Sequence, residues 1–359
     1  HTLLHYSMTP MTDTPEALAA VLPHLAPHDR IAVDTEADSL HCYFEKLCLI
    51  QITVGGVDML IDPLAPMDLT PLWTAWAGKE ILLHGADYDL RLLRRSGCPT
   101  PARVFDTMLA ARLSGVTGFS YAALAEKYFG VKIAKASQKA NWAMRPLPPQ
   151  MLEYAVNDTH HLGEIARILE ADLIRLGRME WFRQSCERAI RSAEIDKDID
   201  PDQLWRIAGS GHLRGRAAAI FRELWRWRDD EARRLDKPTF HILHSEKLVE
   251  AAMEIEAGRQ PEIRHLRGSR AQRFFEAADR GLAMDESQWP KVVRTPRNRP
   301  SQAQYDRFLE LKKHRDQIAT EVQLDPSLIA AKAVLESLAF RPDEALPKLL
   351  PWQRELLKV

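Results

Sequence analysis

Asp34 and Glu36 stand two residues apart where a short apolar run, RIAVDT, reaches an acidic end. Alternate side chains of an extended strand share a face, so both carboxylates point the same way. Like charges so placed repel unless a cation lies between them, and a hard divalent ion with oxygen ligands is the usual solution. Further along, LLHGADYDLRLL passes from an apolar strand into a helix and carries Asp87 and Asp89. Counting back from Leu90 and Leu93 as buried positions puts Asp89 near the first helical turn. Asp87 is the competing acid, and it also suits a helix start, where it favours the dipole. Finally, Tyr154 and Asp158 lie four apart in EYAVNDTHHL, one turn apart on one helix face. A phenol beside a carboxylate can orient a water held at a metal site.

Elements that could position these groups are legible around them. Arg30–Thr35, Leu47–Val54, Val57–Ile61 and Glu80–Leu83 read as strands, the second and third joined by a Gly55-Gly56 turn. Phe105–Leu113, Tyr121–Phe129 and Gln150–Leu176 read as helices. Hairpin strands followed by alternating helices and strands predict a mixed α/β sheet flanked by helices. Composition changes at DKDIDPD, and beyond it the chain reads as helical. The expected organisation is a catalytic domain over 1–200, a helical domain over 201–288, a linker over 289–300 and a second helical module over 301–359. The modules look alike: Leu224 to Asp229, Ala232 and Pro238 in one resemble Leu311 to Asp316, Ala319 and Pro326 in the other.

The three acidic signals, in this order, are similar to the tyrosine-bearing branch of the DEDD exonuclease superfamily. VDTEADSL, KLCLIQI, LLHGADYDLRLL, FDTMLAARLSG and NWAMRPLPPQMLEYAVNDTHHL resemble ribonuclease D over roughly residues 30–176. The helical modules resemble the HRDC domain. This resemblance implies an RNase H-like mixed sheet followed by all-α HRDC modules. It selects Asp89, which follows an aromatic and precedes an aliphatic residue, over Asp87. It implies catalytic residues Asp34, Glu36, Asp89, Tyr154 and Asp158, the four acids binding two divalent ions, Mg²⁺ or Mn²⁺. In it Asp34, Glu36 and Asp158 share one ion, Asp34 and Asp89 the other, Tyr154 orients the attacking water, and Glu36 reads the terminal 3′-OH. The implied activity is 3′→5′ hydrolysis of RNA with a free 3′ end, tRNA precursors first, releasing 5′-mononucleotides. The alternatives are a 3′→5′ DNA exonuclease and a catalytically silent RNA-binding protein. His84, where many members have Asn, and Asn141, before Trp142, where the family usually has Asp, depart from the pattern.

Composition narrows the remaining classes. The net charge of −1 hides 20 Lys+Arg against 26 Asp+Glu in residues 1–200 and 29 against 24 beyond. Acidic ligands in one part and phosphate-binding bases in the other suit a nucleic-acid enzyme. The Arg-rich stretch Arg214–Arg234, with Trp225 and Trp227, is the expected RNA-holding element. No apolar run approaches 18 residues, so no membrane association is expected. HTLLHYSMTPMTDTPE lacks the features of a secretion signal. Cys42, Cys48, Cys98 and Cys186 show no zinc-ligand spacing and read as reduced thiols of a cytoplasmic protein. Without a sustained heptad, a monomer is expected. His241-Ile-Leu-His244 has poor metal spacing, and the glycine-rich Gly209–Gly215 follows no strand.

Overall fold

The computed structural model describes residues 9–134, 137–195, 200–264, 266–291 and 300–359. Six strands form one sheet: β1 (Met11–Thr12), β2 (Arg30–Ala37), β3 (Leu47–Val54), β4 (Val57–Ile61), β5 (Glu80–Leu83) and β6 (Arg103–Asp106). Their order is β1-β4-β3-β2-β5-β6. β2 pairs antiparallel with β3 and parallel with β5, which puts it at the centre. Gly55 and Gly56 close the β3–β4 hairpin with φ of 55° and 80°, the left-handed pair that a tight turn requires. All eight residues of β3 are buried, as a strand covered on both faces should be.

Helices α1 (Pro15–Leu25), α2 (Thr70–Trp76) and α3 (Asp87–Arg95) cover one side of the sheet. There Leu18, Leu72, Trp73 and Leu90 pack with Ile31, Val33, Ile81 and Leu83. The other side receives α4 (Thr107–Leu113), α5 (Tyr121–Phe129), α6 (Pro149–His160), α7 (Leu162–Arg175) and α8 (Met179–Glu194). Ala32, Leu82 and Phe105 meet Ala110, Ile165 and Leu169 there. Two expectations are corrected. Phe105 belongs to β6, and the helix begins only after Asp106, whose carboxylate caps it. The single helix expected over Gln150–Leu176 is two, divided at His161, whose N–H donates to the Tyr121 hydroxyl at 3.2 Å.

The remaining helices are α9 (Gly215–Leu235), α10 (Thr239–Ile242), α11 (Ser245–Glu256), α12 (Gly268–Leu282), α13 (Gln302–Glu321), α14 (Pro326–Ile329), α15 (Lys332–Phe340), α16 (Pro342–Ala345) and α17 (Pro351–Leu357). The chain divides into two compact units, and the division differs from the expected one. The described residues of His1–Ala37, Lys46–Asp196 and Asn298–Val359 form one; those of Asp38–Glu45 and Lys197–Arg297 form the other. The module expected to stand alone over 301–359 therefore shares the nuclease core. Phe308, Leu311, Leu335 and Trp352 are buried in one cluster with Phe105, Leu169 and Phe182. Trp352 stacks on Trp181 at 5.0 Å, and Arg178 of the α7–α8 turn donates to the carbonyls of Leu113 and Val322. Most of the expected linker, and most of the DKDIDPD boundary, lies outside the described residues.

In the second unit α9, α11 and α12 bury Phe221, Leu224, Trp227, Leu248 and Phe274. Residues 38–45 fold with it. The Tyr43 hydroxyl donates to the Asp229 carboxylate at 2.9 Å, and the Tyr43 and Phe44 N–H groups donate to Asp236 at 3.0 and 3.1 Å. The similarity of the two modules extends to side-chain detail. Arg228 donates to the Leu243 carbonyl, and Arg315 donates to the Ala330 carbonyl, fifteen residues on in both. Asp236 and Gln323, at the same offset of 87 residues, both adopt left-handed backbone at φ 45° and 53°. Among the described residues no helix is long and apolar enough to cross a membrane. All four cysteines are free thiols and buried.

Candidate active site

A cleft of about 360 Å³ lies beyond the carboxyl end of β2, lined by Asp34, Glu36, Asp89, Tyr154 and Asp158, with Thr35, His84, Tyr88, Tyr121 and Gln138. All five residues expected from the sequence meet here. Strand alternation turns Asp34 and Glu36 to the side covered by α6 and α7, and Thr35 to the side covered by α3. The ladder shifts register immediately after Glu36, so the strand ends its regular pairing where the carboxylates are needed.

Asp89 is buried in the first turn of α3 and accepts from the Thr35 hydroxyl at 2.5 Å. Asp87, one position inside the helix start, is largely exposed and pairs with Arg91 at 2.6 Å, away from the cleft. What holds Asp89 there is Asp106. Its carboxylate accepts from Gly85 and Ala86 N–H at 3.0 and 2.9 Å and also caps α4 through Met108 and Leu109. Gly85 turns the chain at φ 80°, where any side chain would be strained. The His84 ring is tied to Thr107 Oγ1 at 2.9 Å, so it stands in the cleft wall as a fixed, neutral group whose pKa burial lowers.

Tyr154 and Asp158 come from successive turns of α6. Trp142, fully buried, sits 6.0 Å from the Tyr154 ring and seats that helix on the sheet. Arg145 anchors the segment leading into α6: it bonds bidentately to Asp62 at 2.6 Å and donates to the carbonyls of Cys48, Trp142 and Met144. Tyr121 completes the wall, donating to the Asn157 carbonyl at 2.7 Å.

Oxygen atoms of Asp34, Glu36 and Asp158 lie within 4.8 Å of one another. Among the described residues lining the cleft, none carries a fixed positive charge. Burial, then the charges of Asp89, Asp158 and Glu36, holds the Asp34 carboxyl well above its ordinary range. Burial with Asp158 and Asp89 pushes Glu36 up to about 9. Burial pushes Asp158 up to about 7 against a lowering hydrogen bond from Tyr154, and Asp89 up to about 6 against one from Thr35. An acidic site so starved of compensation fits a divalent cation with oxygen ligands.

Each raised carboxyl keeps its proton in the folded chain after the unfolded chain has lost it near pH 4. The metal-free folded state therefore binds more protons, and this contribution to stability is full below pH 4 and falls as pH rises through 6, 7 and 9. Melting curves in EDTA should show wild type losing several degrees relative to Glu36→Gln between pH 5 and pH 9. Excess Mg²⁺ or Mn²⁺ should remove the loss. Parallel curves in EDTA would contradict the electrostatic account.

A family model described as a 3′-5′ exonuclease matches residues 10–174, and one described as an HRDC domain matches 217–254. Ribonuclease D of Nitrobacter hamburgensis is 28% identical over 361 residues, covering 96% of this chain and 92% of that protein. Ribonuclease D of Zymomonas mobilis is 30% identical over 295 residues, covering 79% and 75%. The crystal structure of Escherichia coli RNase D superposes with a TM-score of 0.72 at 22% identity, covering 98% of both chains. The mixed sheet, the acidic cleft beyond the end of its central strand and the HRDC match thus agree with the sequence relatives: the chain belongs to the ribonuclease D family and is a 3′→5′ exoribonuclease.

Proposed function

We propose that the chain shortens RNA from a free 3′ end with two divalent ions held by Asp34, Glu36, Asp89 and Asp158, releasing 5′-mononucleotides. The observation that carries this reading is the convergence of Asp34, Glu36 and Asp158 oxygens within 4.8 Å, with Asp89 in the same cleft. When bound, such ions supply a nucleophile at neutral pH and charge to stabilise the leaving oxygen.

The chain's own groups divide the remaining work. The Asp34 carboxyl feels the charges of Asp89, Asp158 and Glu36 together, so it is the carboxylate that would serve both ions. Glu36, nearest the strand end, accepts a hydrogen bond from the terminal 3′-OH, which sets the polarity of attack. Burial and the neighbouring carboxylates raise the Tyr154 phenol above its ordinary value. It stays protonated at neutral pH with its proton turned to Asp158, so it positions the attacking water through its hydroxyl oxygen and is not its base. Tyr121 and His84, both pinned by hydrogen bonds, shape the wall against which the last nucleotide lies.

The Escherichia coli enzyme of the same fold is an exoribonuclease involved in structured RNA processing. We assign this chain tRNA precursors as substrates of that kind, acting as a monomer in the cytoplasm.

A time course on 5′-labelled single-stranded RNA tests the reading, beside a 3′-phosphate copy and a DNA copy, with Mg²⁺, Mn²⁺ or EDTA. A ladder shortening from the 3′ end, lost with EDTA and with the 3′-phosphate, is expected. Faster loss of the DNA copy would move the substrate to DNA, and metal-independent shortening would remove the ions from the mechanism.

A further inference from the structure

On β3, Gln51 is fully buried, and neither its amide nitrogen nor its amide oxygen has a hydrogen-bond partner among the described residues. No other described side chain leaves two buried polar atoms unpaired. An amide sealed from water without a partner is destabilising, and an apolar side chain of similar volume would avoid that cost. Packing therefore does not account for a glutamine at this position.

The sheet register shows what the amide can serve. Opposed residues of an antiparallel pair turn their side chains to the same face. Gln51 stands opposite Asp34 on β2 and opposite Leu60 on β4. Along β3 its neighbours on that face are Leu49 and Thr53. Leu49 and Leu60 are apolar and pack with Trp142 and Ala155 beneath α6. The Thr53 hydroxyl is already committed, bonding to Asp58 and to the Thr159 hydroxyl, both at 2.7 Å. Asp34 is the one polar side chain left on that border. Opposed Cβ atoms lie about 4.5–5.5 Å apart, within reach of a glutamine amide. Two other acids of the cleft have a side-chain donor of their own, Thr35 for Asp89 and Tyr154 for Asp158.

We infer that Gln51 is a positioning residue for Asp34: its amide N–H is the donor that fixes the Asp34 carboxylate when that carboxylate binds a divalent ion. Ligating carboxylates keep their orientation through such outer donors, and losing one costs about 10–100-fold in metal affinity or activity. The buried amide is thus held ready, at a cost to the metal-free fold, for a bond that the ion-bound site requires.

The inference rests on Asp34 being a metal ligand, and the test separates the two claims. Full-length Gln51→Met, a swap of similar volume, is compared with wild type at pH 8. In EDTA it should melt at or above wild type, because the unpaired amide is gone. Its Mn²⁺ affinity, read by calorimetric titration without RNA, should fall about tenfold. The Mg²⁺ concentration for half-maximal turnover should rise by the same factor, with KM for single-stranded RNA unchanged. In an Asp34→Asn background the same substitution should cost no further Mn²⁺ affinity, since its effect passes through Asp34. Gln51→Leu repeats the series should Gln51→Met disturb the fold. Lost stability in EDTA with Mn²⁺ affinity unchanged, or an equal added loss of affinity in the Asp34→Asn background, would overturn the inference and leave Gln51 as a core residue. Failure of wild type to bind Mn²⁺ would overturn the metal reading, and the inference with it.

Discussion

Asp34→Asn should abolish RNA hydrolysis, by about three orders of magnitude or more, and at the same time make the metal-free protein more stable. The two effects have one cause. Asp34 is a carboxylate that burial and three neighbouring acids, Asp89, Asp158 and Glu36, hold well above its ordinary range. Asn removes from the apo state the cost of a buried carboxyl held protonated beside three others and, with it, the group proposed to serve two ions. A residue needed only for folding would lose activity and stability together. Single-turnover assays on single-stranded RNA, RNA binding and melting curves in EDTA at pH 8 check all three. Binding should be retained and the melting temperature should rise. Turnover above a few per cent of wild type would remove Asp34 from the centre of the chemistry.

The second large effect concerns residues far from the cleft. Ending the chain at residue 291 should leave the nuclease unit unable to fold. Phe308, Leu311, Leu335 and Trp352 belong to the same buried cluster as Phe105 and Phe182. Removing one such side chain costs about 2–5 kcal/mol, against a total stability of about 5–15 kcal/mol for a typical domain. Trp352→Ala in the full chain isolates one contribution, since it deletes the ring stacked 5.0 Å from Trp181. It should cost about 3–5 kcal/mol in urea unfolding, and the truncated chain should aggregate or expose its tryptophans to quencher. A soluble, active chain ending at residue 291 would show that this core is dispensable.

The carboxylates were legible in the sequence because their geometry is local: strand alternation for Asp34 and Glu36, helical spacing for Tyr154 and Asp158. The residues that aim them were not, because they act on backbone atoms distant in sequence. Asp106 holds the turn before Asp89 from 20 residues away, and Arg145 reaches Asp62 across 83. The one available signal for Asp106 was Asp-Thr ahead of an apolar helix, a capping signature, and Phe105 masked it by prolonging the apolar run. The break at His161 is set by the Tyr121 hydroxyl 40 residues earlier, so helix periodicity ran through it. β3, β4 and β5 were placed correctly because β-branched and apolar runs bounded by turns mark buried strands. The module repeat was visible for the same kind of reason, since Leu, Arg-Asp, Ala and Pro recur in the same order and at similar spacing. The sharing of the second module's apolar faces with the nuclease core was not visible, because periodicity shows that a face is buried and not against what.

The eight residues from Asp38 to Glu45 have a consequence for inheritance of mutations. They follow the two strand carboxylates directly along the chain, yet Tyr43 and Phe44 among them bond to Asp229 and Asp236, nearly two hundred positions later. In a gene read as modules, an HRDC segment exchanged between relatives would carry away half of this contract and leave Tyr43 and Phe44 behind without their acceptors. Exchange of the helical segment alone therefore removes bonds made to residues 38–45, which lie inside the stretch matched by the exonuclease model.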